Sequence, residues 1–275
     1  MANNYTLGRG ELHFAAFQNG TQTPGGERYI GNTPEWNATI ETEDLEHYSS
    51  DRGIRELDES VPLQTNRNAS FITDNIDVQN IAYFFFGSVI NFAVAGGTIT
   101  DEAHNAVIPG LTYQLGMTAN NPVGARDLEV HTPAAGGDPA INVIVTDDAS
   151  PAVTYVEGRD YEIDMVRGRL YVLPTSENAA ATIVAGTNLQ VTYKTKSNSR
   201  DRVISGSKPI EGALRYLSFN PVGKQFDWYM PYVKLSPNGD YALKGDDWQQ
   251  IPFTVRILKK SGAEAIYVDG EPLAA

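Results

Sequence analysis

From Trp36 to Glu43 the chain alternates without a break: Trp36, Ala38 and Ile40 fall on one side of an extended strand, and Asn37, Thr39, Glu41 and Glu43 on the other. Val61 to Thr73 repeats the pattern, with Leu63, Thr65, Ala69 and Phe71 opposing Gln64, Asn66, Asn68 and Ser70. Two long segments of period two commit this part of the chain to a sheet with one dry and one wet face. Short apolar runs between Gly, Pro, Asn and Asp continue almost to the end, so the predicted fold is all-β. With 275 residues, 41% of them hydrophobic, there is enough material for one large or two modest domains.

Further strands are predicted at Arg9 to Gln18, Glu27 to Ile30, Ser88 to Val94, Ile210 to Phe219, Gln225 to Leu235, Gln250 to Leu258 and Ala265 to Val268. One helix interrupts them: Val78, Ile81, Ala82, Phe85 and Phe86 follow helical period, with Asp74 as the expected start cap and Gly87 as the stop. The middle of the chain carries seven short predicted strands, at Thr112 to Met117, Leu128 to His131, Ile141 to Thr146, Val153 to Glu157, Tyr161 to Met165, Arg169 to Leu173 and Asn188 to Thr195. That is the strand count of a small immunoglobulin-like β-sandwich. Its flanks, TDEAHN and KSNSRD, read as polar linkers. The expected organisation is a domain in two parts, residues 1–103 and 198–275, interrupted by an inserted domain at 104–197.

Charge is unevenly spread. The net charge is −13, with 15 acids and 5 bases before residue 104 but 9 acids and 10 bases after residue 197. An excess of carboxylates argues against grip on nucleic acid through its phosphates. Residues 41 to 60 alone hold eight carboxylates against Arg52 and Arg55. The span from Asp44 to Ser60 contains no tight hairpin turn and reads as a long loop, a length that usually signals function or a partner.

No enzyme is legible. The four histidines are scattered, no cysteine is present, and no nucleophile elbow, phosphate loop, zinc helix or calcium loop occurs. Glu41, Glu43, Asp44, Glu46 and His47 could suggest a cation site, but Glu41 and Glu43 lie on the wet face of a strand, where carboxylates need no metal. Neither metal nor cofactor is expected. Met1 to Tyr5 lacks the basic and apolar parts of a signal peptide, and no apolar run is long enough to span a bilayer. The expected place of synthesis is therefore a cytoplasm, where the Asn-x-Ser/Thr triplets at Asn19, Asn37 and Asn68 carry no sugar.

Several segments, in order, resemble a known family: LGRGEL at 7–12, RYIGNTPEW at 28–36, TIETEDLEHYSS at 39–50, FFFG at 84–87, KPIEGALRY at 208–216, NPVG at 220–223 and LSPNGDYALKGDDWQQ at 235–250. Together they are similar to the major tail tube proteins of bacteriophages with long non-contractile tails. The resemblance covers both outer parts of the chain. It implies a β-sandwich or barrel with one flanking helix, assembled into hexameric rings that stack into a tube for DNA passage. The inserted β-sandwich would be an outer decoration.

On that resemblance Asn37, Thr39, Glu41, Glu43, Gln64, Asn66, Asn68 and Ser70 would face the lumen. Asp44, Leu45, Glu46, Tyr48, Asp51, Arg52, Ile54, Arg55, Leu57 and Asp58 would form a loop reaching the next ring, meeting Arg200, Arg202, Lys208 and Lys224 there. The expected partners are further copies of the chain, the tape measure, tail tip and terminator proteins, and duplex DNA passing without specific binding. The mature location would be the virion tail, after synthesis in a bacterial host.

Barrel geometry supports the ring size. If each chain lends four strands about 4.8 Å apart and tilted about 40°, three chains close a barrel roughly 24 Å across and six close one of about 48 Å. Side chains take about 10 Å of that, and a duplex of about 20 Å passes only the larger ring. A gap of about 9 Å then separates DNA from the wall, near the Debye length of about 8 Å, so an acidic wall repels phosphates weakly and leaves them mobile. A rival reading makes the middle domain a carbohydrate- or cell-surface-binding module with Tyr155, Tyr161 and Tyr171 as its platform. An acidic metal-dependent hydrolase is a third.

Overall fold

The structure, a computed structural model, describes residues 4–50, 53–132 and 140–272. It divides into two compact units, Met1–Ile90 with Asp201–Ala275, and Asn91–Arg200. In chain order the first unit holds β1 (Gly10–Ala16), β2 (Arg28–Tyr29), β3 (Glu35–Ser49), β4 (Glu56–Thr73), α1 (Val78–Phe84) and the start of β5 (Ser88–Val94). The second holds β6 (Gly97–Val107), β7 (Thr112–Gln114), β8 (Leu128–Glu129), β9 (Ile144–Asp147), β10 (Thr154–Tyr155), β11 (Tyr161–Asp164), β12 (Arg169–Val172) and β13 (Thr187–Thr195). The chain returns through β14 (Asn198–Ile204), which pairs with β5, and ends in β15 (Ile210–Ser218), β16 (Phe226–Pro237), β17 (Ile251–Ile257) and β18 (Tyr267–Gly270). The all-β expectation holds.

The first unit is one antiparallel sheet in the order β2-β1-β15-β16-β17-β4-β3, with β18 beside the first half of β16. Its core joins Leu12 and Phe14 of β1 to Ala69 and Phe71 of β4, strands four places apart in that order, so the sheet curls over its own apolar face. Phe71 stacks on Phe253 at 4.9 Å, and Phe84 of α1 meets Phe253 edge-on, closing one side.

The helix departs from expectation in phase and caps. Asp77, not Asp74, caps it, accepting from the amides of Gln79 and Asn80 at 2.6 and 3.0 Å. Asn80, Ala82 and Tyr83 are buried whereas Phe85 is 42% exposed. The shift follows from Asn80, which donates to the carbonyls of Ile30 and Asn75 at 2.8 and 2.9 Å and so turns its own face inward. The left-handed residue after the helix is Phe86 (φ 52), which lets the amide of Gly87 reach the Ala82 carbonyl.

The second unit packs a sheet of order β10-β9-β13-β6, with β8 also on β13, and a three-stranded sheet β11-β12-β7 around one core. The boundaries expected at 103/104 and 197/198 shift outward. TDEAHN is no linker but the middle of β6, bonded to β13 along its length, and KSNSRD runs into β14. β6 hid from pattern reading because two register shifts against β13 break its alternation. Asp160 ties this unit together. Its buried carboxylate accepts from the amides of Val156 and Thr182, the Thr182 hydroxyl and Arg159, at 2.6–2.9 Å.

Candidate functional site: a polar wall and its hairpin arm

β3 and β4 form a single long antiparallel hairpin, and their register places the wet residues in rows. Asn37 stands opposite Ser70, Thr39 opposite Asn68, Glu41 opposite Asn66 and Glu43 opposite Gln64. Directly opposed residues share a sheet face, so all eight lie on one face. The intervening rows, Trp36 with Phe71 and Ala38 with Ala69, turn the other way, where Phe71, Ala69 and Trp36 join the core.

The wet rows continue across the sheet. Ser70 faces Thr254 of β17, which faces Ser236 of β16; Asn68 faces Arg256, which faces Lys234. Lys234 in turn stands opposite Glu211 of β15 and pairs with it at 2.8 Å. Four consecutive strands, β3, β4, β17 and β16, therefore present a polar wall backed by the core. The charge of this wet face is more balanced than the early part of the sequence suggested: Glu35, Glu41 and Glu43 of β3 and Glu211 of β15 share it with Arg256 and Lys234, Glu41 and Glu43 lying beyond the last rung of β17. The two cations come from late strands whose place beside β4 was not legible.

The segment from Asp44 to Ser60 is not a loop. β3 runs unbroken to Ser49 and β4 starts at Glu56, with Leu45 opposite Val61 and Tyr48 opposite Leu57. Two register shifts, between Glu43 and Asp44 and between His47 and Tyr48, disguise the alternation. β17 accompanies β4 only as far as the Arg67 and Ile257 pair, so everything beyond is a two-stranded arm, with no third strand among the described residues. Hence Leu63 and Thr65, expected on a dry face, are exposed, and so at 63% is Ile40, on the outer strand at the last rung. Leu45, Ile54 and Leu57 are more than half exposed, and Tyr48 is exposed as well. Asp51 and Arg52 lie outside the described residues.

Polar contacts run along the arm itself. His47 Nδ1 lies 2.5 Å from Asp58 Oδ1, the Tyr48 hydroxyl donates to Glu46, and the Arg55 guanidinium sits 5.5 Å from the centre of the Tyr48 ring. The Glu46 carboxylate beside it holds the Tyr48 hydroxyl above the usual phenol range. None of this gathers chemistry. Among the described residues no group of three or more His, Asp and Glu is placed to hold a metal ion.

Of the four cations expected to receive the arm, Arg200 belongs to the second unit, where it donates to Asn198 Oδ1 and the Gly124 carbonyl and lies over Phe92. Arg202 is half-buried on β14. Lys208 precedes β15 and Lys224 follows it, so a nine-residue strand, about 30 Å long, separates them. The tyrosine platform of the rival reading also fails to appear. Tyr155 and Tyr161 are buried, Tyr161 donating to the Val143 carbonyl at 2.9 Å, and the Tyr171 hydroxyl donates to Glu177. No helix among the described residues is long and apolar enough to cross a membrane.

A family model described as "Protein of unknown function UCP028589" matches residues 5–138 and 136–265. The chain belongs to that family. No curated protein matches it.

Proposed function

We propose that this member of the family is a structural protein rather than an enzyme, a subunit that polymerises into stacked hexameric rings forming a phage tail tube. One observation carries the reading: a four-strand polar wall backed by a core and extended by a bare two-stranded arm. A lone two-stranded ribbon is marginal in water, and this one displays Ile40, Leu45, Ile54, Leu57, Val61 and Leu63. Another copy of the chain would cover them.

The wall supplies the four strands per subunit that the barrel estimate needs, and six copies would leave a lumen of roughly 38 Å. β3 is an edge strand fifteen residues long, with its outer backbone groups unpaired by any described strand. Such an edge invites pairing with a neighbour. A wet face with Glu35, Glu41, Glu43 and Glu211 against Arg256 and Lys234, taken over wall and arm together, keeps duplex DNA off the surface without a field strong enough to bar it. In this reading the tape measure, tail tip and terminator proteins meet the ends or the lumen of the tube, and the protein resides in the virion tail.

Shortening the arm tests the reading. Replacing residues 44–63 with Asn-Gly, a two-residue hairpin turn, removes most of the ribbon and leaves the wall. The full chain should sediment at high concentration as large assemblies. The shortened chain should stay folded and sediment as rings or smaller species, and equal assembly of both would refute the arm's part in stacking.

A further inference from the structure

We infer that the loop between β16 and β17, carrying Trp248, is the surface that receives the arm tip of a copy in the next ring. The inference rests on the assembly reading above and names its acceptor. Among the described large hydrophobic residues, the two most exposed are Trp248 at 92% and Ile54 at 78%. They lie at opposite ends of the same hairpin. Ile54 follows the last rung of the arm, Ser49 with Glu56, whereas Trp248 precedes Ile251, which stands opposite Thr73 at the far end of β4. Some seventeen residues, about 55 Å of strand, separate the two. A donor at one end and a different acceptor at the other give a head-to-tail contact, which repeats along an axis rather than closing on itself.

The loop is held in place. Tyr241 packs edge-on against Phe84 at 5.7 Å and donates to Gln249 Oε1 at 3.0 Å, while Gln249 Nε2 donates to the Leu243 carbonyl at 3.1 Å. The indole is therefore presented by an anchored loop, beside Leu243, itself 71% exposed. Trp248 borders a cleft of about 510 Å³ with Asp74 and Ile76, large enough to admit an isoleucine side chain. Charge is complementary at this contact. Residues 238–250 carry Asp240, Asp246 and Asp247 against Lys244, and Arg55 follows Ile54 at the tip of the arm. The arm's excess of carboxylates begins below the tip.

The chain contains no cysteine, so single thiols report contacts cleanly. Chains bearing Ile54→Cys and chains bearing Trp248→Cys, each a minority in wild-type protein, are co-assembled and treated with a short bis-maleimide. A covalent dimer joining the two variant chains is expected, and none is expected when Lys224→Cys replaces Trp248→Cys. Tubes that form without that mixed dimer, or that give it no more often than the Lys224→Cys control, would overturn this contact and leave the assembly reading standing. Wild-type protein that stays monomeric at high concentration would overturn both.

Discussion

Arg67 of β4 stands opposite Ile257 of β17, and that pair is the last rung at which the hairpin has a third strand beside it. On that rung Ile257 is buried while Ile40, across Arg67 on the outer strand, is exposed; below it the sheet has a core, and above it Leu63 is exposed. The same two strands thus serve as domain wall and as projecting arm, and mutations should separate the two roles.

Tyr48→Ala combined with Ile54→Ala should leave the β-sheet circular dichroism and the melting temperature of the monomer nearly unchanged, because neither side chain is buried in the chain alone. Interface anchors cost about 1 kcal/mol or more each when truncated, so each contact between rings should weaken by at least roughly tenfold. Tube length, measured by microscopy at fixed concentration, should fall sharply. Wild-type lengths would return these residues to ordinary solvated surface.

Asp160→Asn should destabilise the second unit by about 2–3 kcal/mol at neutral pH, read by urea unfolding. Burial alone would raise this carboxyl, but hydrogen bonds from Arg159, Val156 and Thr182 hold it down at about 2. A depressed folded-state value stabilises above the ordinary carboxylate range and loses that contribution as pH falls toward 2. The gap between wild type and variant should therefore close between about pH 4 and pH 2. A gap that persists at pH 2 would mean the variant harms packing rather than charge.

Replacing residues 91–200 with a short Gly/Ser linker should preserve assembly. The chain leaves and returns close together, since the amide of Gly206 donates to the Phe85 carbonyl at 3.1 Å. A cut at 104–196 should behave worse, because it strips β13 from the first residues of β6 and exposes their edge. Soluble, folded 91–200 deletion protein that forms no tubes would place the second unit within the wall.

How much of this could be read from the sequence depends on where alternation was intact. Asn37 to Glu43 and Gln64 to Ser70 keep strict period two, so their common face was legible before any register was known. The arm was not legible, because its two register shifts break the period and its charge imitates a loop. Strand β6 was lost the same way. Arg256 and Lys234 belong to well-read strands, yet their place on the wall depends on long-range pairing that no local pattern encodes. For Trp248 the sequence showed only an aromatic among acids; its exposure appears only once Tyr241, half-buried, is seen to pack against the core instead.

Glu41→Lys with Glu43→Lys tests the charge of the hairpin's wet face. Assembled wild-type tubes should retain no duplex DNA, whereas the variant should bind it with an affinity that falls steeply as salt rises, as expected when phosphates release counterions. Equal, negligible retention by both would indicate that these residues do not face the DNA path.

Negative-stain or cryogenic electron microscopy of the concentrated wild-type protein tests the central claim most directly. Six-fold rings stacked into tubes with a lumen of roughly 38 Å, lined by the rows of Asn37, Thr39, Asn68 and Ser70, are expected. Dispersed monomers at every concentration, or tubes with Trp36 and Phe71 turned to the lumen, would contradict it.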